Sequence, residues 1–275
     1  MITRREFLQQ SVLATSSLAA GKLLVDTLTP MRSDAAQIDP NDPGLISSEV
    51  KYSSIDGTAI SAYITRPRGS EAHPAVLVIH EWDGIKEHIR DVARRLAKSG
   101  YVALAPDLLS RYGGTGSFST QQAAIAAGRK LDDDSITKDL SGAVNYLKGQ
   151  SFVRANRIGV IGFCWGGGKA LLFTTRSKDL SASVIYYGSN PANLEDVKNI
   201  SAPVLGQYGA ADERITSAVP KLDEAMKRYG KSFEYKVYPG APHAFNSDVS
   251  PSYREDAAKE AWGRTLEFFK THLQS

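Results

Sequence analysis

Short apolar segments alternate with helical patterns along most of this chain, and the alternation is what most restricts its fold. The segments "HPAVLVIH" (residues 73–80) and "RIGVIGF" (157–163) are nearly continuous apolar runs, typical of strands buried on both faces. Between them, "IKEHIRDVARRLAKSG" places Ile85, Ile89 and Leu96 at helical spacing. The pattern predicts an α/β fold, with a mostly parallel central sheet and helices on both faces.

The remaining segments extend the same pattern. Asp56-Gly57 separates two β-rich runs and predicts a hairpin. Four later strands are predicted in "YVALAPD", "ASVIYYG", "APVLGQYG" and "FEYKVYPG", and helices are predicted from about residue 135 to 148 and in the C-terminal "YREDAAKEAWGRTLEFFKTHL". The polar "LLSRYGGTGSFST" is predicted to be a loop of the kind that carries function. Because no repeat or linker interrupts residues 37–275, they are predicted to form one domain.

Composition narrows the classes of function. Hydrophobic residues make up 42% of the chain, enough for a sizeable core. The net charge of +3 comes without clustered lysine and arginine, which argues against nucleic-acid binding. The single cysteine excludes an intrachain disulfide framework, and the five histidines are too dispersed to suggest a zinc site. No metal or cofactor is therefore predicted.

The first 36 residues have a different character. "MITRREFLQQSVLATSSLAA" pairs Arg4 with Arg5 ahead of a weakly apolar stretch, too short and polar for a stable membrane span. This resembles a twin-arginine export signal, with small residues at 33–36 near a plausible cleavage point. The alternative is a frayed amphipathic helix. An export signal would make the export machinery a partner of the precursor and place residues 37–275 in the periplasm or another extracytoplasmic space.

The only cysteine lies in the most informative motif. "GFCWGG" (residues 162–167) follows the strand "RIGVIGF" and precedes the helical "GGKALLFTT". Gly-x-Cys-x-Gly between a strand and a helix fits a nucleophile elbow, a sharp turn that needs small flanking residues, with Cys164 as nucleophile. The alternative is a buried, inert cysteine, the usual state of a free thiol in a core.

A cysteine nucleophile needs a base, and the base needs an orienting acid. Asp212 follows the strand "APVLGQYG", and His243 follows the next strand in "YPGAPHAF". This is the order nucleophile, acid, histidine that the elbow motif predicts. Alternatives stay open here, since Asp212 could instead cap the helix that follows, with Glu213 as acid, and His243 could be a packed loop residue.

These motifs, together with "VIHEWDG", "YGAADERI" and "DLLSR", resemble the dienelactone hydrolase family over most of residues 48–272. The resemblance implies an α/β-hydrolase fold with the triad Cys164, Asp212 and His243. It implies that Glu81 contacts the resting thiol, and that Arg111 holds Glu81 and the carboxylate of the substrate. It also implies an oxyanion hole formed by the backbone N–H groups of Trp82 and Trp165.

The implied activity is hydrolysis of a lactone or carboxylic ester through an acyl-thioester, without metal or cofactor. Ser247 departs from the pattern, because well-known members carry a second substrate-binding arginine at that position. With one carboxylate-binding arginine absent, a shallower preference for carboxylate-bearing lactones such as dienelactone is predicted. A broad-specificity carboxylesterase and a non-catalytic binding protein are the alternatives. Tyr186 and Tyr187 could line the site or belong to the core.

Overall fold

The computed structural model describes residues 37–274. The predicted export signal, residues 1–36, lies outside them. Within the described residues, eight strands form one sheet: β1 (Leu45–Ser53), β2 (Ala59–Pro67), β3 (His73–Ile79), β4 (Val102–Pro106), β5 (Val153–Phe163), β6 (Ala182–Tyr186), β7 (Val204–Gly209) and β8 (Phe233–Tyr238). Seven α-helices accompany them in this part of the chain: α1 (Glu87–Lys98), α2 (Gln121–Gly128), α3 (Asp133–Lys148), α4 (Trp165–Arg176), α5 (Glu213–Thr216), α6 (Val219–Arg228) and α7 (Glu255–Phe269).

The strand order is β1-β2-β4-β3-β5-β6-β7-β8. β1 and β2 form the predicted hairpin around Asp56-Gly57, and β2 is antiparallel to β4. From β4 to β8 all neighbouring strands are parallel, which confirms the predicted sheet. The carboxyl ends of β3, β5, β7 and β8 therefore meet at one edge, where an open α/β sheet binds its ligands.

Helices cover both faces of the sheet, as the alternation predicts. Helices α1 and α7 bury apolar side chains such as Val92 and Phe269 against one face. On the other face, α3, α4 and α6 contribute Leu140, Leu171 and Met226 to a second buried cluster. Since each parallel strand is covered on both sides, its residues can be apolar without alternation, which explains the continuous apolar runs.

Local signals explain several element boundaries. Asp132 precedes α3 and its Oδ1 accepts the backbone N–H of Ser135 at 2.7 Å, so the helix begins two residues before the predicted start. Gly100, with φ +92°, directly follows Ser99, the C-cap of α1, which is the position where a left-handed glycine commonly terminates a helix.

The segment predicted as one loop, residues 108–120, has more structure. It contains 3₁₀ turns at Leu108–Tyr112 and Thr115–Ser117, and α2 follows, which the sequence pattern did not predict. Two further short helices are a 3₁₀ turn at Leu194–Asn199 and a π-helical turn at Lys270–Gln274. Within residues 37–274, no helix is both long and apolar enough to span a membrane.

Candidate active site

The Cys164 backbone forms a sharp turn between β5 and α4. Its φ of 56° and ψ of −119° fall in the region of the first central residue of a type II′ turn, which favours glycine. A cysteine held there is strained, at a cost of order 1–3 kcal/mol, and such strain is concentrated at functional sites. The N–H of Cys164 donates to the carbonyl of Tyr186, and the Cys164 carbonyl accepts from Gly168. The elbow is thus fixed to β6 and to its own helix.

Two glycines make this turn possible. A Cβ atom on Gly162 would lie 2.1 Å from the carbonyl oxygen of Gly166, and one on Gly166 would lie 2.3 Å from that of His80. Both distances are far below contact, and in each case the obstacle is backbone that cannot move aside. The requirement for small residues beside Cys164 is therefore steric, as the motif predicts.

Hydrogen bonds join Cys164, His243 and Asp212 in sequence. Nε2 of His243 lies 3.0 Å from Sγ of Cys164, and Nδ1 lies 2.5 Å from Oδ2 of Asp212. Asp212 occupies the N-cap position of α5 but makes no side-chain cap there, because its carboxylate faces His243. Glu213, the alternative acid, is exposed. The arrangement has the geometry of a nucleophile, a base and an orienting acid.

The environment of Cys164 keeps the thiol protonated. Burial raises the pKa of Cys164 to about 12, with a further contribution from the negative charge of Glu81. The backbone N–H of Trp165 and the positive charge of Arg214 oppose this rise in pKa. Because the thiolate is the oxidisable form, the resting cysteine is guarded against oxidation.

Glu81 lies in the loop after β3, close enough for its charge to act on the thiol. Burial raises the pKa of Glu81, and the positive charge of His88 is the largest influence against it. The predicted direct contact is not seen, since no hydrogen bond within residues 37–274 joins the Glu81 carboxyl to Cys164. The thiol instead bonds His243.

His80 fixes the loop that carries Glu81 and Trp82. Its ring is fully buried, Nδ1 lies 2.5 Å from the carbonyl oxygen of Glu81, and Nε2 accepts the N–H of Leu108 at 3.1 Å. These two bonds require the tautomer protonated at Nδ1. Burial lowers the pKa of His80, which keeps this neutral form in place.

Arg111 does not reach the site, contrary to the sequence prediction. Its Nε and Nη2 donate to the two carboxylate oxygens of Asp139, at 3.0 and 2.7 Å, and Nη2 also donates to Asp56. Nη1 donates to the hydroxyl of Thr58. The guanidinium therefore ties the 3₁₀ turn after β4 to α3 and to the β1–β2 hairpin. The physical reason is that Asp139 is fully buried, so its carboxylate attracts a bidentate donor more strongly than the open edge of the site does.

The two tryptophans come together as the motif requires. Trp165 is the first residue of α4, Trp82 follows Glu81, and their ring centroids lie 5.2 Å apart. Within the described residues, no backbone carbonyl accepts a hydrogen bond from either N–H, and the N–H of Trp165 acts instead on the resting sulfur of Cys164. Tyr186 and Tyr187 are fully buried in the core, and the Tyr187 ring also packs edgewise on His243, with centroids 5.0 Å apart.

Two charged residues near the site were missed by the sequence reasoning. Arg214 stands two residues after Asp212 in "YGAADERI", so its position close to the candidate acid was a usable signal. His88 lies among the helical residues of α1, where nothing in the local pattern marks it. Within residues 37–274 no cluster of three histidine, cysteine or acidic side chains is arranged to hold a metal.

A mostly parallel eight-stranded sheet with a nucleophile elbow defines an α/β hydrolase. The model of the Dienelactone hydrolase family matches residues 60–273, and the chain belongs to that family. A protein named "Putative carboxymethylenebutenolidase" from Methylorubrum extorquens is 38% identical, over 96% of this chain and 93% of the relative. The chain is thus a carboxylic ester hydrolase of carboxymethylenebutenolidase type.

Solved structures agree on the fold. A crystal structure described as "Putative Dienelactone Hydrolase from Klebsiella pneumoniae subsp. pneumoniae MGH 78578" has 33% sequence identity and a TM-score of 0.75, covering 82% of this chain and 98% of that chain. The dienelactone hydrolase from Anabaena variabilis, 21% identical, has a TM-score of 0.65, over 84% of this chain and 99% of that chain, which supports the fold alone.

Proposed function

We propose that this hydrolase cleaves a lactone or carboxylic ester by nucleophilic attack of Cys164, through an acyl-thioester intermediate. The observation that carries the proposal is the chain of hydrogen bonds from Sγ of Cys164 through His243 to Asp212, at the edge of the sheet where the strained elbow holds the partly buried thiol. The substrate class is a small-molecule ester, and the chemistry needs no bound cofactor.

The geometry supports a two-stage reaction. Nε2 of His243 accepts the thiol proton while Sγ bonds to the carbonyl carbon, and the carbonyl oxygen becomes an oxyanion near the N–H groups of Trp82 and Trp165. The C–O bond to the leaving group then breaks, and His243 returns the proton to that oxygen. In the second stage His243 takes a proton from water while the water oxygen bonds to the acyl carbon. The C–S bond then breaks, His243 returns the proton to Sγ, and a carboxylic acid leaves.

The acyl-enzyme gives a direct test. With excess chromogenic ester, the first turnover should release chromophore in a burst equal to the concentration of enzyme, followed by a slower steady rate set by deacylation. Mass spectrometry of the quenched enzyme should then find the acyl group on Cys164. A stable protein that binds esters without burst or turnover would establish the alternative, a binding protein on this scaffold.

Arg214 is the residue that we assign to recognition of a negatively charged substrate. The arginine predicted for the substrate carboxylate, Arg111, is engaged by Asp139, and Ser247 carries no charge. Arg214 is exposed, and no hydrogen bond or ion pair within the described residues involves its guanidinium, yet its charge acts on Cys164. We propose that a substrate carboxylate pairs with Arg214.

Because Arg214 is exposed, its pairing energy is that of a surface ion pair. Arg214→Gln should lower kcat/KM for a carboxylate-bearing lactone about two- to fivefold, less at high salt, and leave a neutral ester of similar size unchanged. Arg228→Gln, which removes an exposed arginine on α6, is the matched control and should change neither. Equal losses of kcat/KM on both substrates would show that Arg214 does not recognise the charge of the substrate.

Export of the precursor remains part of the proposal, carried by the Arg4-Arg5 pair ahead of the weakly apolar stretch. Changing both arginines to lysine should retain the full-length chain in the cytoplasm, whereas Arg32→Lys should leave export intact. Cell fractionation with N-terminal sequencing makes the measurement. An unmodified chain that stays cytoplasmic and uncleaved in its native host would refute the export signal.

A further inference from the structure

The amide that joins Glu81 to Trp82 has a different partner at each end. Its nitrogen carries the Trp82 N–H, one of the two donors assigned to the oxyanion, and no backbone carbonyl of the described residues accepts from it. Its oxygen is the Glu81 carbonyl, which lies 2.5 Å from Nδ1 of His80 and has a second, longer donor in the N–H of Gly84 at 3.4 Å. One peptide unit therefore connects the ring of His80 to the N–H that would meet the substrate.

The hydrogen bond between His80 and this amide has a fixed direction. Nε2 of His80 lies 3.1 Å from the backbone N–H of Leu108, which can only donate, so Nε2 is the acceptor. The proton of the neutral ring is therefore on Nδ1 and is donated to the Glu81 carbonyl. Because the ring is fully buried, water does not compete for either nitrogen.

The ring of His80 is also held against the elbow. It stacks on the indole of Trp165, with centroids 5.6 Å apart and planes 27° apart. A Cβ atom on Gly166 would lie 2.5 and 2.3 Å from the carbonyl oxygens of Ile79 and His80, so the end of β3 lies directly against the start of α4. The position of His80 is thus fixed relative to the nucleophile turn, and not only within its own loop.

A donor on the carbonyl oxygen of an amide affects the N–H of the same amide in two ways. It polarises the peptide unit, and hydrogen bonds that act in a chain strengthen one another. It also fixes the plane of the peptide, and donors to an oxyanion are effective because they need no reorganisation when the charge develops. Since the oxyanion exists only after attack on the carbonyl carbon, both effects stabilise the transition state more than the bound substrate.

We propose that His80 is a positioning residue of the oxyanion hole: by donating from Nδ1 to the Glu81 carbonyl, it orients the Trp82 N–H and strengthens it as a donor to the oxyanion. His80 keeps its proton throughout the reaction, so no group is transferred. The inference rests on the proposed function, because the oxyanion forms when Cys164 attacks an ester. It gives a catalytic purpose to a buried histidine that lies outside the triad.

Two amide substitutions separate the two hydrogen bonds of His80. In His80→Asn the side-chain nitrogen lies near the position of Nδ1, so the bond to the Glu81 carbonyl is kept and the bond to Leu108 is lost. In His80→Gln the side-chain oxygen lies near the position of Nε2, so the bond to Leu108 is kept and the bond to the Glu81 carbonyl is lost. His73→Gln, at the opposite end of β3, is the matched control.

The measurement is the rate of acylation of Cys164 in the burst with a chromogenic ester. His80→Gln should acylate about ten- to a hundredfold more slowly, less than the 10²- to 10³-fold cost of removing an oxyanion donor outright. His80→Asn should stay closer to wild type than to His80→Gln, and His73→Gln should match wild type. A trifluoromethyl ketone, whose tetrahedral adduct with the thiol carries an oxyanion, should bind His80→Gln more weakly by the same factor. The Kd of a non-reactive amide analogue of the ester should not change.

Three results would overturn the proposal. His80→Asn could acylate more slowly than His80→Gln, which would assign the effect to the bond with Leu108; both folded variants could acylate at the wild-type rate; or the non-reactive analogue could lose as much affinity as the trifluoromethyl ketone, which would indicate a loosened site. If neither variant folds, the ¹⁵N shifts of the His80 ring in the wild-type protein decide, because a proton on Nε2 would refute the proposal and a proton on Nδ1 would support it. A wild-type protein that forms no acyl-enzyme would refute the proposed function, and this inference with it.

Discussion

Cys164→Ala should lower kcat on any ester substrate by on the order of 10⁴- to 10⁶-fold, the range for loss of a nucleophile that acts with a base and an acid. The loss is large because attack by Sγ, proton transfer to His243 and the acyl-thioester all disappear together. The measurement is kcat with a chromogenic ester, alongside thermal unfolding. The fold should be retained, since alanine differs from cysteine only in lacking the Sγ atom.

Cys164→Gly provides the companion variant. Glycine adopts φ 56° and ψ −119° without the strain that cysteine carries, so this variant should be as inactive as the alanine variant without losing stability. Esterase activity within tenfold of wild type in either folded variant would show that Cys164 is not the nucleophile.

Arg111→Ala should destabilise the fold by about 3–5 kcal/mol, the usual cost of leaving one partner of a buried ion pair alone. Asp139 is fully buried and both its carboxylate oxygens accept from Arg111, so truncation leaves a carboxylate without its counter-charge. Urea denaturation should show the loss, with kcat/KM of the remaining folded enzyme nearly unchanged for neutral and anionic esters alike.

Two further variants separate packing from charge. Arg111→Lys keeps the charge but not the two-pronged donor geometry, and should lose less stability than Arg111→Ala. Replacing Arg111 and Asp139 together by leucine should also cost less than Arg111→Ala, because no buried charge is left unpaired. A stable Arg111→Ala protein whose KM is raised only for anionic esters would show that Arg111 binds the substrate and not merely the fold.

Sequence alone determined the α/β class, the elbow and the order of the candidate triad. Apolar runs such as residues 73–80 and 157–163 indicate strands that are buried on both faces. Gly162 and Gly166 indicate a turn in which the surrounding backbone leaves no room for a side chain. The apolar runs and Gly162 are local signals, because they depend on periodicity and on a clash with Gly166 in the same turn, whereas the obstacle at Gly166 is the carbonyl of His80 just after β3. His243 and Asp212 follow from the rule that parallel strands bring their carboxyl ends to one edge.

Only the tertiary structure decided which partner each charged side chain takes. Arg111 matched a substrate-binding position in sequence, but Asp139 on α3 and Asp56 in the hairpin lie beside its guanidinium and accept its hydrogen bonds. His88 was unmarked on its helix, yet the fold buries it beside Asp248. The physical reason is that an ion pair or a shifted pKa depends on burial and on charges brought together by distant segments, and no local pattern in the sequence encodes that distance.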